Sequence, residues 1–183
     1  DAKERDISAR RIVAQTATML AAIARHRKGL PPVAARTDLS HAANFLWMLN
    51  DEVPAEILAK TLDVALILHA DHTLNASTFT CRVVASTEAD PYASTSAALG
   101  SLGGPLHAGA IEQVLKMLEE IGDASRAKAW FDNAVAQKKK IMGFGHAVYR
   151  TEDPRATHLR RVSRHIGEEK GERRWYDLSE RVE

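Results

Sequence analysis

The spacing of apolar positions is helical almost from end to end. Ile12, Val13, Thr16, Leu20, Ile23 and Ala24 recur at three- and four-residue intervals, which puts them on one helix face. Gly29 and then Pro31-Pro32 end that helix. Ser40 is suited to cap the next, which carries Phe45, Leu46, Trp47 and Leu49. Pro54 fits the first turn of a third helix, running to about His69. Its later part, Val64-Ala65-Leu66-Ile67-Leu68, leaves no wet face, so this helix is expected inside the protein. Phe79, Val83 and Val84 mark a fourth helix. Asp90-Pro91 reads as an N-cap followed by a first-turn proline, and Tyr92, Thr95, Leu99 and Leu102 then form one stripe among many small residues. Gly103-Gly104-Pro105 breaks the pattern and is the best candidate for a domain boundary. Further helices are expected near 109–121, 124–138, 154–167 and 173–183. No stretch sustains strand alternation, so the expected fold class is all-α.

Composition narrows the function classes more than the fold. The 183 residues are enough for one domain or two small ones. A formal net charge of +1 gives no reason to expect nucleic acid as a partner. Lys138-Lys139-Lys140 and Arg160-Arg161 read as solvated surface. A single cysteine, Cys81, rules out an internal disulfide framework and suits a reducing compartment, so a cytoplasmic location is expected. It lies inside an amphipathic helix and reads as packing. Asn75-Ala76-Ser77 matches a glycosylation sequon, but nothing else suggests secretion. The longest apolar run, Val64 to Leu68, is far short of the roughly 20 residues a membrane span needs. Both ends of the chain fall in helical sequence, and the expectation is a piece of a longer protein.

The candidate chemistry is histidine and arginine chemistry. There is no nucleophile elbow, P-loop or zinc pattern. His69 and His72 share a helix face, but no suitably placed glutamate completes a metal site, so no metal is expected. His107 follows Gly103-Gly104-Pro105-Leu106 at a helix start. There it is either a simple surface residue or a donor to a carbonyl that becomes an enolate. Gly143-Phe144-Gly145-His146 is part of a dinucleotide fingerprint only in appearance: it lacks the third glycine and the preceding strand. It is either a tight interhelix turn or a loop whose backbone meets an extended ligand, with His146 aimed at a carbonyl oxygen. Asp153-Pro154 starts a helix, and Arg155 suits a bidentate grip on a carboxylate. Together these groups fit a small anionic substrate.

Three blocks carry a family resemblance: His69-Ala70-Asp71-His72-Thr73-Leu74-Asn75-Ala76-Ser77-Thr78-Phe79, Gly104-Pro105-Leu106-His107, and Gly143-Phe144-Gly145-His146 onward to Arg155. In order and spacing they resemble the signature blocks of citrate synthase. Arg27 to Pro32 and Ser40 to Leu46 resemble its bacterial branch. The resemblance covers essentially the whole chain and implies an all-α fold with a large and a small helical domain around a cleft. Residues 1–106 would then belong to the large domain and 107–183 to the small one. It implies condensation of acetyl-CoA with oxaloacetate to citrate and CoA, with CoA as cosubstrate and no tightly bound cofactor. His107 would hydrogen-bond the acetyl carbonyl, and His146 would polarise the keto group of oxaloacetate. His72 and Arg155 would hold oxaloacetate. Arg150 would contact CoA phosphates, and the backbone of Ile141, Met142, Gly143, Phe144 and Gly145 would meet the adenine. Helices near 76–88 and 91–102 resemble those that pair across the family's homodimer interface. Two rivals stand beside this reading: a 2-methylcitrate synthase using propionyl-CoA, and a short non-catalytic paralogue that only binds ligand or partners. The chain departs from the family at Ala108-Gly109-Ala110-Ile111, where Gly-Gly-Ala-Asn is usual. The family's carboxylate base matches no residue here, so the chain alone is expected to be inactive.

Overall fold

The computed structural model describes residues 2–145 and 151–183. All regular elements among them are helical: α1 Ala2–Arg27, α2 His41–Asn50, α3 Glu56–His69, α4 Ala76–Ala85, α5 Pro91–Leu102, α6 Gly109–Ile121, α7 Ala127–Ala136, α8 Pro154–Lys170 and α9 Arg174–Val182. A 3-10 turn at Ala124–Arg126 precedes α7, where the sequence pattern suggested continuous helix. The chain forms two compact units, Asp1–Ala98 and Leu99–Glu183.

In the first unit α2 packs against both α1 and α3. Its ends are set by local chemistry. Ser40 accepts from the Ala43 N–H at 3.3 Å, and Asp51, in a left-handed conformation (φ 61°), donates its N–H to Trp47 O. The buried side chains here are small, namely Ala21, Ala42 and Ala43, with Met48 the largest apolar one. Two polar residues, Ser94 and Arg25, are buried as well. Arg25 donates from Nε to Pro31 O at 2.6 Å and from Nη1 to Leu49 O at 3.3 Å, with Asp51 3.7 Å away. A cation at the carbonyl end of α2 also complements the helix dipole. The chain between α1 and α2 is latched to α2: Trp47 Nε1 donates to Ala34 O, Asn44 exchanges hydrogen bonds with the Arg36 backbone, and the Arg36 guanidinium lies 5.2 Å from the Trp47 ring centre.

Three expectations fail in this unit. The face drawn on α1 is not the packed one: Leu20 and Ile23 are about half exposed, whereas Ala21 and Arg25, one turn apart, are buried. α3 has no fully buried residue, and Ile67 is 65% exposed. It packs against α2 and leaves Leu66 and Ile67 exposed alongside the polar Lys60 and Asp63. Pro54 lies just outside α3, whose N-cap is Ala55.

The second unit has an apolar centre. Met117 and Ile121 of α6, Ala127 of α7 and Leu178 of α9 are buried together, flanked by Val114, Leu118, Trp130, Phe131, Ile141 and Val182. Arg174 Nε ties α9 to the end of α6 by donating to Gly122 O at 2.8 Å. Lys139 is not simply solvated, as its lysine run suggested. It lies 5.0 Å from the Trp130 ring centre and 3.2 Å from Glu120 Oε2. Hydrogen bonds from Trp130 and Lys139 hold the Glu120 carboxyl below the usual carboxylate range. Arg160 pairs with Glu183 and Glu152, and those bonds hold its guanidinium still more firmly protonated than usual.

Candidate functional site

His72 lies in the first unit, in the link between α3 and α4. Sequence-local hydrogen bonds shape that link. Asp71 Oδ1 accepts from the Thr73 N–H at 2.8 Å, an Asx turn, and Thr73 takes a left-handed φ of 55°. Asn75 then caps α4 by accepting from the Thr78 N–H at 3.0 Å. The first of these bonds spans the half-buried His72, and the second starts α4 three residues later. His69 is occupied differently, with Nδ1 2.6 Å from Ala65 O. No group of three or more metal-ligating side chains forms among the described residues.

The other described candidates lie in the second unit. His107 is half-buried in the turn between α5 and α6, two residues before α6 begins. Its N–H donates to Gly104 O at 2.9 Å, and its carbonyl accepts from the Ala110 N–H at 3.0 Å. The backbone on both sides of the imidazole is therefore fixed by local bonds.

The segment Ile141 to Gly145 sits on the same scaffold. Ile141 packs on the apolar centre. Gly143 has φ +88°, and a β-carbon there would lie 3.1 Å from Val114 Cγ2, so backbone meets α6 directly. Phe144 stands edge-on to Phe131 of α7, with ring centres 6.4 Å apart. Val114 is five residues into α6, roughly 7.5 Å along the axis from its start. One rigid helix thus carries the His107 turn at its head and the 141–145 segment on its side. The sequence reading did not connect Val114 or Phe131 to this segment, because contacts across 29 and 13 positions leave no local pattern.

Arg155 opens α8 and is half-buried. Asp153 caps that helix by accepting from the Arg155 N–H at 2.9 Å. Its carboxylate also receives the Arg155 guanidinium fork, with Nε at 3.0 Å and Nη2 at 2.6 Å. The bidentate grip expected of Arg155 is thus made here with an internal carboxylate. Any ligand carboxylate at this arginine must compete with Asp153 or share the fork. The cap and the carboxylate-binding character of Arg155 were readable from the sequence; its pairing with Asp153 was not. His146 and Arg150 lie outside the described residues.

Comparison with known proteins covers both units. The sequence model for the citrate synthase C-terminal domain matches residues 1–183. Citrate synthase 2 of Bacillus subtilis is 49% identical over 173 residues, covering 94% of this chain and 46% of that protein. A 2-methylcitrate synthase of Mycobacterium tuberculosis is 42% identical, covering 97% and 45%. The chain therefore spans about half the length of the curated relatives it matches. Among solved structures, the citrate synthase of Thermoplasma acidophilum, in ternary complex with carboxymethyl coenzyme A and oxaloacetate, superposes with a TM-score of 0.87 at 33% identity, over 94% of this chain and 46% of that one. The fold is thus the all-α fold of those enzymes, and with a family match along its whole length the chain belongs to the citrate synthase family.

Proposed function

We propose that this chain is the central part of an enzyme that condenses acetyl-CoA with oxaloacetate to give citrate and CoA. The single observation that carries the reading is its likeness, at a TM-score of 0.87, to a citrate synthase solved with carboxymethyl coenzyme A and oxaloacetate. Oxaloacetate is the keto acid of the proposed reaction, and carboxymethyl coenzyme A is a CoA derivative.

In the proposed reaction a carboxylate from outside residues 1–183 takes a proton from the acetyl methyl group. His107 donates a hydrogen bond to the thioester oxygen as negative charge develops there, the kind of preorganised donor that lowers such a barrier most. The enolic carbon attacks the keto carbon of oxaloacetate. His146 polarises that carbonyl and supplies the proton its oxygen gains. Water then cleaves the resulting thioester, releasing citrate and CoA. His72 and Arg155 hold the oxaloacetate carboxylates, with Arg155 drawn from Asp153. Arg150 meets CoA phosphates, and the backbone from Ile141 to Gly145 meets the adenine. CoA is a cosubstrate, and no cofactor stays tightly bound.

The wider proposal follows the same lines. The working domains are 1–106 and 107–183, closing on a cleft. Exposed apolar residues on α4 and α5, among them Phe79, Val83 and Leu99, form a homodimer face. No described helix is long and apolar enough to cross a membrane, and a cytoplasmic location is proposed.

His107→Ala or His146→Ala in the complete gene product should lower turnover by about 10²–10³. Unchanged rates of CoA release would overturn the assignment. The 42% identity to a 2-methylcitrate synthase supports a second reading, with propionyl-CoA as substrate. Comparing kcat/KM for the two acyl-CoAs decides between them. A native mass near 20.1 kDa would instead point to a short form that only binds.

A further inference from the structure

We infer that Gly109 is a positioning residue for His107, present because nothing larger fits beneath the turn that carries the imidazole. Gly109 is the first residue of α6, between Ala108 and Ala110. Inside a helix alanine is favoured over glycine by about 1 kcal/mol, and at a first position such as this the preference is smaller. Its φ is not among the positive values that favour glycine, so backbone conformation does not explain the choice. Space does. A β-carbon at Gly109 would lie 2.7 Å from both Gly103 O and Gly104 O, and 3.0 Å from the Gly104 carbonyl carbon. These are backbone atoms and cannot rotate away as a side-chain tip would. Elsewhere the contrast is plain: a β-carbon at Gly100 would meet nothing within 4 Å.

The crowded atom is the one that fixes His107. Gly104 O accepts the His107 N–H at 2.9 Å. A methyl group at residue 109 must push this carbonyl back by several tenths of an ångström. That stretches the bond or carries the His107 backbone with it. Alanines at 108 and 110 show that small side chains are accepted on either side, so the restriction is particular to the one Cα that faces both carbonyls. The packing thus ties the His107 backbone to the first turn of α6 through the Gly104 carbonyl.

The inference rests on the proposed role of His107 at the acetyl carbonyl, and its test separates the two. The complete gene product and its Gly109→Ala, Gly104→Ala and His107→Ala variants are compared. Oxaloacetate-competent sites are counted by calorimetric titration, and turnover is expressed per such site. Exchange of the acetyl-CoA methyl protons with deuterated water is followed by NMR. Gly109→Ala should lose about 10–100-fold in turnover per site and in methyl exchange, since a misplacement of about 1 Å can cost about 100-fold. Its oxaloacetate affinity should stay within twofold. A merely structural glycine would reduce the number of competent sites and leave turnover per site unchanged, which overturns the inference. Gly104→Ala is the milder probe, since its β-carbon would meet Ser101 O at 3.2 Å. It should lose several-fold, and it decides alone if Gly109→Ala is insoluble; wild-type turnover per site then overturns the inference. If His107→Ala itself keeps full turnover per site, the role of His107 falls and the inference with it. If His107→Ala is impaired while Gly109→Ala is not, only the inference falls.

Discussion

The two units of this chain are held together by different chemistry. The second is organised around an apolar centre in which Ile121 and Leu178 are completely buried. The first buries mainly alanines and one methionine, and relies on hydrogen bonds: Arg25 to two carbonyls, Asn44 and Trp47 to the preceding loop, Ser40 at the head of α2. Apolar burial is non-directional and scales with area, whereas carbonyl clamps and caps are directional and scale with geometry. A unit built the first way should respond to lost volume, and one built the second way to lost donors. The first unit also keeps much apolar surface outward, including Ile67, Leu74 and Phe79, which suits a body completed by further contacts.

Three substitutions can break or sharpen this contrast, each read by native-state hydrogen exchange, which resolves the two units separately. Leu178→Ala should have the largest effect, a loss of about 2–5 kcal/mol confined to α6, α7 and α9. Equal loosening of α2 would show that the units share one core. Arg25→Ala leaves the Pro31 and Leu49 carbonyls without their donor and should cost the first unit about 1–3 kcal/mol, felt at the α1–α2 junction. If α2 exchange is unaffected, the clamp is incidental and the alanine contacts suffice. Ser40→Ala should be smallest, about 1 kcal/mol at the first turn of α2, since its 3.3 Å bond is a long one. A Ser40→Asp variant should restore protection there, and failure to do so would remove capping from the account.

Helix starts were legible because their causes are local. Ser40 and Asp153 accept from backbone N–H groups within three residues of themselves, as their types and positions predict. Asp90 does the same for Tyr92 and Ala93. Helix faces were less legible. Leu20 and Ile23 have the right spacing for burial, yet the packed side of α1 is Ala21 and Arg25. Periodicity identifies an amphipathic surface but not the neighbour that covers it. The candidate site shows the same division. The residue types at 72, 107 and 155 were readable from turns and motifs. The occupation of Arg155 by Asp153 depends on rotamers that a sequence pattern does not encode.

By itself, the order of residues determined an all-helical chain, where most helices begin, and its kinship, because propensity, caps and motif spacing act over a few positions. Tertiary structure alone decided that Gly109 sits under two carbonyls, that Val114 supports Gly143, and that α3 turns apolar residues outward. Each of these depends on which distant atoms arrive at the same place. That is settled by excluded volume and close packing across the fold, and not by any residue's own preference.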